Sequence, residues 1–285
     1  MELKSIGKNT APAVLLLPGD GREPEDVLGA LKPMGKSYRL LLPVFNLGEG
    51  TEALEEALMN ECAGRLWGAY GLGTGADMLL ELIARGRIRV RSWVTEGPVT
   101  LPEGPIPPTP GKVWSWIRAK DKAGAQSLTA LREKYAGVNA LTMKKLPKKK
   151  STLEHCPKFS AGRMEKAFGS AVSVSRSAAV DMPVDELWAK LREGHLRSEI
   201  ARLRSRLPVE MDDREHRLIL EGSGDSMELW SHMIRLEPGE DGGTVCTDQI
   251  LMRPRGKKAP TAGMVKLYLL YIQLRRALDV RMKKA

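Results

Sequence analysis

A glycine-rich turn between a short apolar segment and an amphipathic one constrains this chain more than any other feature. The turn reads Gly71-Leu72-Gly73-Thr74-Gly75-Ala76 and lies between the apolar residues 66–70 and residues 76–84, which have helical spacing. Glycine populates positive φ as readily as negative φ, so three glycines in five residues permit a very sharp bend. The pattern predicts a buried strand, a tight turn and a helix.

Similar apolar runs, bounded by turn residues, surround this turn in the first half of the chain. Runs of this kind indicate strands buried on both faces. Their alternation with amphipathic segments predicts a parallel sheet with helices on both faces. Strands are predicted at 13–17, 38–44, 90–94, 112–117 and 140–146, and helices at 24–31, 51–62 and 125–135.

Two different motifs require a glycine-rich turn between a strand and a helix. One is the nucleophile elbow G-x-S-x-G, whose strained turn lifts a serine above the sheet. The other is the dinucleotide fingerprint G-x-G-x-x-G/A, which Gly71, Gly73 and Ala76 match, with Glu96 as a candidate ribose-binding acid. The fingerprint normally occupies the first βα turn of its unit, whereas here two strands and two helices precede the turn, so the elbow is favoured.

Four segments resemble the catalytic motifs of a small bacterial α/β-hydrolase without a cap domain, and they follow one another in the same order as in that family. The resemblance implies that Gly19, Asp20 and Thr74 form the oxyanion-type loop and turn. It also implies that Asp121 is the triad acid and His155 the triad histidine, while Gly73 occupies the place of the serine. The segments are 17–21, 67–76, 114–121 and 153–157.

The glycine at position 73 removes the attacking atom that acyl transfer needs. We therefore expect a non-catalytic or weakly catalytic unit, a pseudoenzyme. Two alternatives remain: a cryptic hydrolase of small esters or acyl groups, for example through water activated at His155, and a dinucleotide-binding enzyme using the turn. His155 is also compatible with an ordinary surface-loop residue.

The second half of the chain changes to strands joined by turns, which predicts an antiparallel sheet. Strands are expected at 173–180, 217–221, 227–236 and 244–252, with a helix opening at 182–188. A long final helix is predicted over 261–282. Its most regular apolar stripe is expected to pack on the sheet and consists of Met264, Leu267, Tyr271, Leu274 and Leu278.

This element order resembles the START-like, helix-grip (SRPBCC) superfamily that includes polyketide cyclases. The resemblance implies a sheet curved around the final helix and a cavity for a hydrophobic small molecule. The predicted domains are therefore an α/β-hydrolase-like domain at 1–168 and a helix-grip α+β domain at 169–285. Residues expected to line the cavity, unless they only fill the core, are Trp230, His232, Met233, Tyr268 and Tyr271.

Composition limits the remaining possibilities. A net charge of +10, with a basic block at 144–150 of unassigned role, raises nucleic acid as a partner, but no interleaved aromatics or DNA-binding motif accompany it. The three cysteines are far apart and predict neither a metal site nor disulfides, and no cofactor is expected. No apolar run reaches the length of a membrane span, and the chain begins without a signal-peptide pattern, so a cytoplasmic location is expected, with a protein partner possible.

Overall fold

The structure is a computed structural model, and the chain divides into two compact units, Met1–Ser170 and Ala171–Ala285. The residues that it describes are 1–19, 27, 31–109, 111–118, 121–135, 137–143, 157–169, 171–193, 204–224, 227–254 and 261–282.

The first unit is built on a seven-stranded sheet in the order β1-β3-β2-β5-β7-β8-β9. The strands from β2 onward in this sheet run parallel, while β1 pairs antiparallel with β3 at one edge. Two short strands, β4 and β6, pair separately. The bounds are β1 Glu2–Ile6, β2 Ala13–Leu17, β3 Arg39–Val44, β4 Arg65–Leu66, β5 Gly68–Leu72, β6 Arg89–Val90, β7 Trp93–Glu96, β8 Val113–Arg118 and β9 Val138–Met143.

Helices α1 to α4 accompany this sheet, together with a 3-10 helix at Lys32–Lys36. Helix α1 ends where Ala63 and Gly64 take positive φ, a common helix terminus. The central strands are fully buried, as strands with both faces covered must be. The helix bounds are α1 Thr51–Cys62, α2 Thr74–Ala84, α3 Lys122–Lys134 and α4 Pro157–Phe168.

The predicted alternation of strands and helices is confirmed in the first unit. The antiparallel edge strand β1 was not predicted, because its five residues carry only a weak alternation of apolar and polar side chains. The predicted strand at 90–94 is interrupted, with β6 and β7 on either side of Arg91 and Ser92. The predicted helix at 24–31 falls largely outside the described residues.

The second unit contains a five-stranded antiparallel sheet in the order β10-β14-β13-β12-β11. In β14 the predicted alternation is confirmed, since Thr244, Cys246, Asp248 and Ile250 are buried on one face. Strand β11 was not predicted. The bounds are β10 Val172–Val180, α5 Val184–Arg192, β11 Arg204–Asp212, β12 Arg217–Gly224, β13 Met227–Pro238, β14 Thr244–Pro254 and α6 Ala262–Met282.

Helix α6 packs on the sheet with the face opposite to the one predicted. Each of the five residues of the predicted stripe is between 57% and 69% exposed. The prediction was wrong because α6 has a second apolar face, interrupted in the sequence by two polar residues that are buried together with it. The buried residues of α6 are Val265, Leu269, Ile272, Gln273, Arg276 and Val280.

Candidate functional site

The turn after β5 has the backbone geometry of a strained strand-to-helix elbow. Gly73 has φ +56° and ψ −126° and immediately precedes α2. Gly75 allows α2 to approach β2 closely, because a Cβ at this position would lie 2.2 Å from the Leu17 carbonyl oxygen. The glycine spacing of the sequence is therefore used to make the bend and to pack it against the neighbouring strand.

The apex of the elbow is open. A Cβ built on Gly73 would have no heavy atom within 4 Å among the described residues. No described residue would therefore block a side chain at this position, which is where an elbow presents its nucleophile. Gly73 supplies only hydrogen there, so position 73 offers no attacking atom.

The loop predicted to act as an oxyanion hole does approach the elbow. Gly19 lies against the carbonyl of Leu72, since a Cβ on Gly19 would be 2.4 Å from that oxygen and 3.7 Å from Thr74 Oγ1. Thr74 is exposed at the first position of α2. Asp20 lies outside the described residues. The loop after β2 and the start of α2 therefore meet at the carboxyl end of the sheet.

Of the two predicted triad partners, Asp121 is among the described residues and His155 is not. Asp121 follows β8 and caps α3, where its Oδ1 accepts a hydrogen bond of 2.9 Å from the Gly124 backbone N–H. This contact gives the carboxylate a structural task. His155 lies outside the described residues, so the catalytic role assigned to it stays a prediction.

Glu96, the candidate ribose-binding acid, is buried in the interior of the first unit. It is 1% exposed at the end of β7 and accepts a hydrogen bond from the Tyr70 hydroxyl of β5. Gly71 in turn makes room for α2, since a Cβ there would be 2.5 Å from the Ala76 Cα. These contacts explain the fingerprint spacing by internal packing and weaken the dinucleotide alternative.

The second unit holds a buried ionic cluster between the sheet and α6. At its centre Asp248 of β14 is fully buried and accepts two hydrogen bonds from Arg276, from Nη1 to Oδ2 at 2.8 Å and from Nη2 to Oδ1 at 3.1 Å. His232 Nε2 is 2.8 Å from Asp248 Oδ1, and Gln273 Nε2 donates to Oδ2 at 3.1 Å. The carboxylate is thus bound bidentately and almost saturated with donors.

Neighbouring groups extend this cluster. Arg276 Nη1 also lies 2.8 Å from the sulfur of Cys246. Gln273 is held in place by Arg176 of β10, whose Nε donates to Gln273 Oε1 at 2.8 Å and whose backbone oxygen accepts from Gln273 Nε2 at 2.8 Å. The Nε of Arg276 is buried and has no hydrogen-bond acceptor among the described residues. The cluster therefore joins β10, β13, β14 and α6.

The charges in the cluster stabilise one another. Burial raises the pKa of Asp248, but the hydrogen bond from His232 and the charge of Arg276 outweigh this effect and hold the pKa below its usual value. Burial lowers the pKa of Arg276, and the Asp248 charge more than reverses it. Burial raises the pKa of the Cys246 thiol to about 12, so this group stays protonated and unreactive near neutral pH.

The five residues predicted to line a ligand cavity fall into separate groups. Trp230 and His232 are buried on the same face of β13, and the Trp230 ring meets Tyr268 edge-on with centroids 5.7 Å apart. Met233 alternates with His232 along β13 and therefore points to the other face of the sheet. Tyr271 is on the exposed side of α6. The geometry brings together Trp230, His232 and Tyr268 and separates Met233 and Tyr271 from them.

Sequence analysis missed Asp248, Gln273 and Arg276 as a group. The available signal was polar residues at buried positions: Asp248 on the apolar face of β14, and Gln273 and Arg276 on the second apolar face of α6. Among the described residues, no group of three His, Cys, Asp or Glu side chains is arranged to hold a metal ion. None of the described helices is both long enough and apolar enough to cross a membrane.

Similarity to known proteins is detectable through structure. No protein-family model matches the chain, and no curated protein matches it. The crystal structure of an alpha/beta hydrolase family protein from Desulfitobacterium hafniense matches with a TM-score of 0.50 and 15% identity, over 59% of this chain and 100% of its own. An alpha/beta hydrolase enzyme from a metagenome of Mar Chica lagoon sediments, in Morocco, matches with a TM-score of 0.48 and 11% identity, over 58% and 93%.

A further match is the crystal structure of Ara h 8.0201, with a TM-score of 0.30 and 16% identity, over 40% of this chain and 99% of its own. A TM-score of that size establishes no shared fold, so it does not identify the second unit. Identities this low relate to fold alone. The strand order, the elbow and the first match together give the unit Met1–Ser170 an α/β-hydrolase-like fold.

Proposed function

We propose that this protein joins a non-catalytic or weakly catalytic α/β-hydrolase-like unit to a second unit that binds a hydrophobic small molecule. The observation that carries the first half of the proposal is the open apex at Gly73, where a nucleophile would have room but only hydrogen is present. The helix-grip interpretation of the second unit motivates the other half.

The chemistry of acyl transfer explains why a single residue has this weight. A covalent acyl-enzyme requires an oxygen or sulfur nucleophile beside a base, and a base without a nucleophile supplies only general-base assistance to water. Such assistance typically contributes about 10²–10⁴-fold, far less than a complete triad. The unit therefore acts mainly as scaffold or binding surface.

A matched pair of variants at the apex tests the first half. We expect the wild-type protein to remain unlabelled by a fluorophosphonate probe and to accelerate p-nitrophenyl acetate cleavage by no more than the roughly 10²–10⁴-fold that general-base assistance supplies. Gly73→Ser would restore the nucleophile, while Gly73→Ala adds the same backbone strain without the hydroxyl. Probe labelling of Gly73→Ser but not of Gly73→Ala would support a degenerate elbow, whereas labelling of the wild type at any residue would refute the proposal.

The proposed binding of a hydrophobic small molecule is supported by a group of apolar side chains next to the ionic cluster. Trp230, Tyr268, Val265 and Leu269 form part of one apolar cluster, and the His232–Asp248–Arg276 group lies on the same side of the sheet. A ligand with an apolar body and a terminal acceptor group suits this arrangement, because Arg276 Nε lacks an acceptor from the described residues. Few, well-placed polar groups in an apolar surround are typical of small-molecule sites.

Two tyrosines of α6 provide the test, because Tyr268 packs against Trp230 while Tyr271 is exposed. Native mass spectrometry of the purified protein would reveal a retained ligand, and titration with 11-(dansylamino)undecanoic acid would report binding by fluorescence. We expect Tyr268→Ala to weaken dansyl-lipid binding at least 10-fold and Tyr271→Ala to leave it unchanged. Equal loss in both variants, or no saturable binding by the wild type, would argue against an internal site.

A further inference from the structure

The outer face of α6 carries a continuous apolar seam that no described part of the second unit covers. Of the seven large apolar side chains exposed among the described residues, five lie on this one face of the helix, hereafter the outer seam. The remaining two, Leu47 and Met211, are isolated elsewhere. The outer seam consists of Met264, Leu267, Tyr271, Leu274 and Leu278.

The spacing of the outer seam is that of a helix that packs against another helix. Its residues are separated by three, four, three and four positions, which is the heptad repeat of a coiled coil. At about 100° per residue this spacing confines all five side chains to a band about 80° wide, narrower than the broad apolar face of a helix that lies on a globular core. The seam is also diametrically opposite to Leu269 and Arg276, which face the sheet.

We propose that the outer seam is a homodimer interface in which α6 of one copy packs against α6 of a second copy. The same patch on both copies can close a two-fold dimer without any additional surface. Five side chains with more than half of their area exposed offer roughly 600 Å² per copy, so pairing buries about 1,200 Å² in total, at the lower limit of specific interfaces. A patch of this size is also at the upper limit of what monomers normally expose.

The charges along the seam favour a protein partner over an anionic membrane. Between Ala262 and Val280 the exposed charged residues are Lys266 and Arg275, and Asp279 is half-buried. Membrane-surface helices instead combine a broad apolar face with many Lys and Arg side chains on the polar flanks. Here the opposite side of α6 is occupied by the protein's own sheet.

Sedimentation velocity of the full chain between 1 and 100 µM tests the proposal. We expect a monomer–dimer equilibrium in the micromolar range, and we expect Leu267→Glu combined with Leu274→Glu to weaken dimerisation at least 100-fold. Both leucines are exposed, so the far-UV circular dichroism should be unchanged. The matched control is Lys266→Glu, which introduces the same side chain on α6 outside the seam and should weaken dimerisation less than 3-fold.

Three outcomes would overturn the homodimer. The first is a wild-type chain that stays monomeric at 100 µM. The second is a dimer that the double glutamate variant leaves intact. The third is a monomer that co-sediments with phosphatidylglycerol vesicles and loses this binding in the double variant, since the seam would then contact lipid.

Discussion

The elbow of the first unit and the ionic cluster of the second unit differ in backbone conformation, in burial and in the side chains that they contain. At the elbow Gly73 takes a positive φ, no described atom lies within 4 Å of a Cβ built on it, and it has no reactive side chain. In the cluster the groups are buried, and donors from β13 and α6 almost saturate Asp248. The elbow, which has no reactive side chain at Gly73, is thus marked by a sequence motif. The ionic cluster, which contains the buried charges, has no such motif.

The difference teaches that backbone architecture and side-chain chemistry leave different traces in a sequence. Glycines at fixed spacing are needed by the turn itself, whatever the turn is used for. A buried ion pair requires only one residue from each of several distant segments, and those segments meet only after folding. The following changes would separate the two regions experimentally, from the largest expected effect to the smallest.

Arg276→Ala should be the most destabilising change in the second unit. It leaves the Asp248 carboxylate buried without its bidentate partner. Removing one partner of a buried ion pair typically lowers the free energy of unfolding by about 3–5 kcal/mol. The neighbouring exposed Arg275→Ala should change it by less than about 0.5 kcal/mol. The urea dependence of amide hydrogen exchange in β13 and β14 would measure both changes in unfolding free energy. Equal changes in the two variants would contradict a stabilising role of the ionic cluster.

The pH dependence of the same unit should follow Asp248. Its pKa is lower in the folded chain than the ordinary value of 3.8, so the unfolded chain binds the extra proton. The stabilisation is therefore complete above about pH 4 and should decline as the pH falls below the ordinary value. The double variant Asp248→Leu with Arg276→Met should remove this component from the acid unfolding curve; an unchanged curve would show that other carboxylates govern it.

At the elbow, Gly75→Ala should destabilise the first unit more than Gly73→Ala. The new methyl group at 75 meets backbone atoms of Leu17 and Gly19 at 2.2–2.9 Å, and overpacking typically costs about 1–3 kcal/mol or more. At position 73 no described atom lies within 4 Å of the new methyl group, and only the φ of +56° with ψ −126° remains unfavourable for a residue with a side chain, by about 1–3 kcal/mol. Hydrogen exchange in β5 and α2 gives the order, and the reverse order would mean that the turn relaxes at Gly75.

Asp121→Ala should have the smallest effect, about 1 kcal/mol, because it removes the cap of α3. Asp121→Asn keeps an acceptor for the Gly124 N–H and should preserve thermal stability. If instead Asp121 acts as a triad acid, both substitutions should abolish any fluorophosphonate labelling gained by Gly73→Ser. Comparison of the Asn variant in the two assays therefore separates the cap from the catalytic role.

Much of the first unit follows from the sequence, since strands buried on both faces are continuous apolar runs and glycines mark the turn between β5 and α2. The edge strand β1 is weakly patterned because it has one neighbour and partly exposed side chains. The clearest error of the sequence prediction concerns which face of α6 is buried against the sheet. Both faces of α6 are apolar, and the outer seam has the more regular spacing in the sequence, while Gln273 and Arg276 interrupt the face that is buried.

The sequence by itself determined the alternation of elements, the sharp bend at Gly73 and the absence of a nucleophile at its apex, because these depend on residues adjacent in the chain. The tertiary structure alone decided which face of α6 is buried and that Asp248, His232 and Arg276 meet. The reason is physical: a charged side chain is stable in the interior only beside a partner, and the partners of Asp248, His232 and Arg276, are 16 and 28 positions away along the chain.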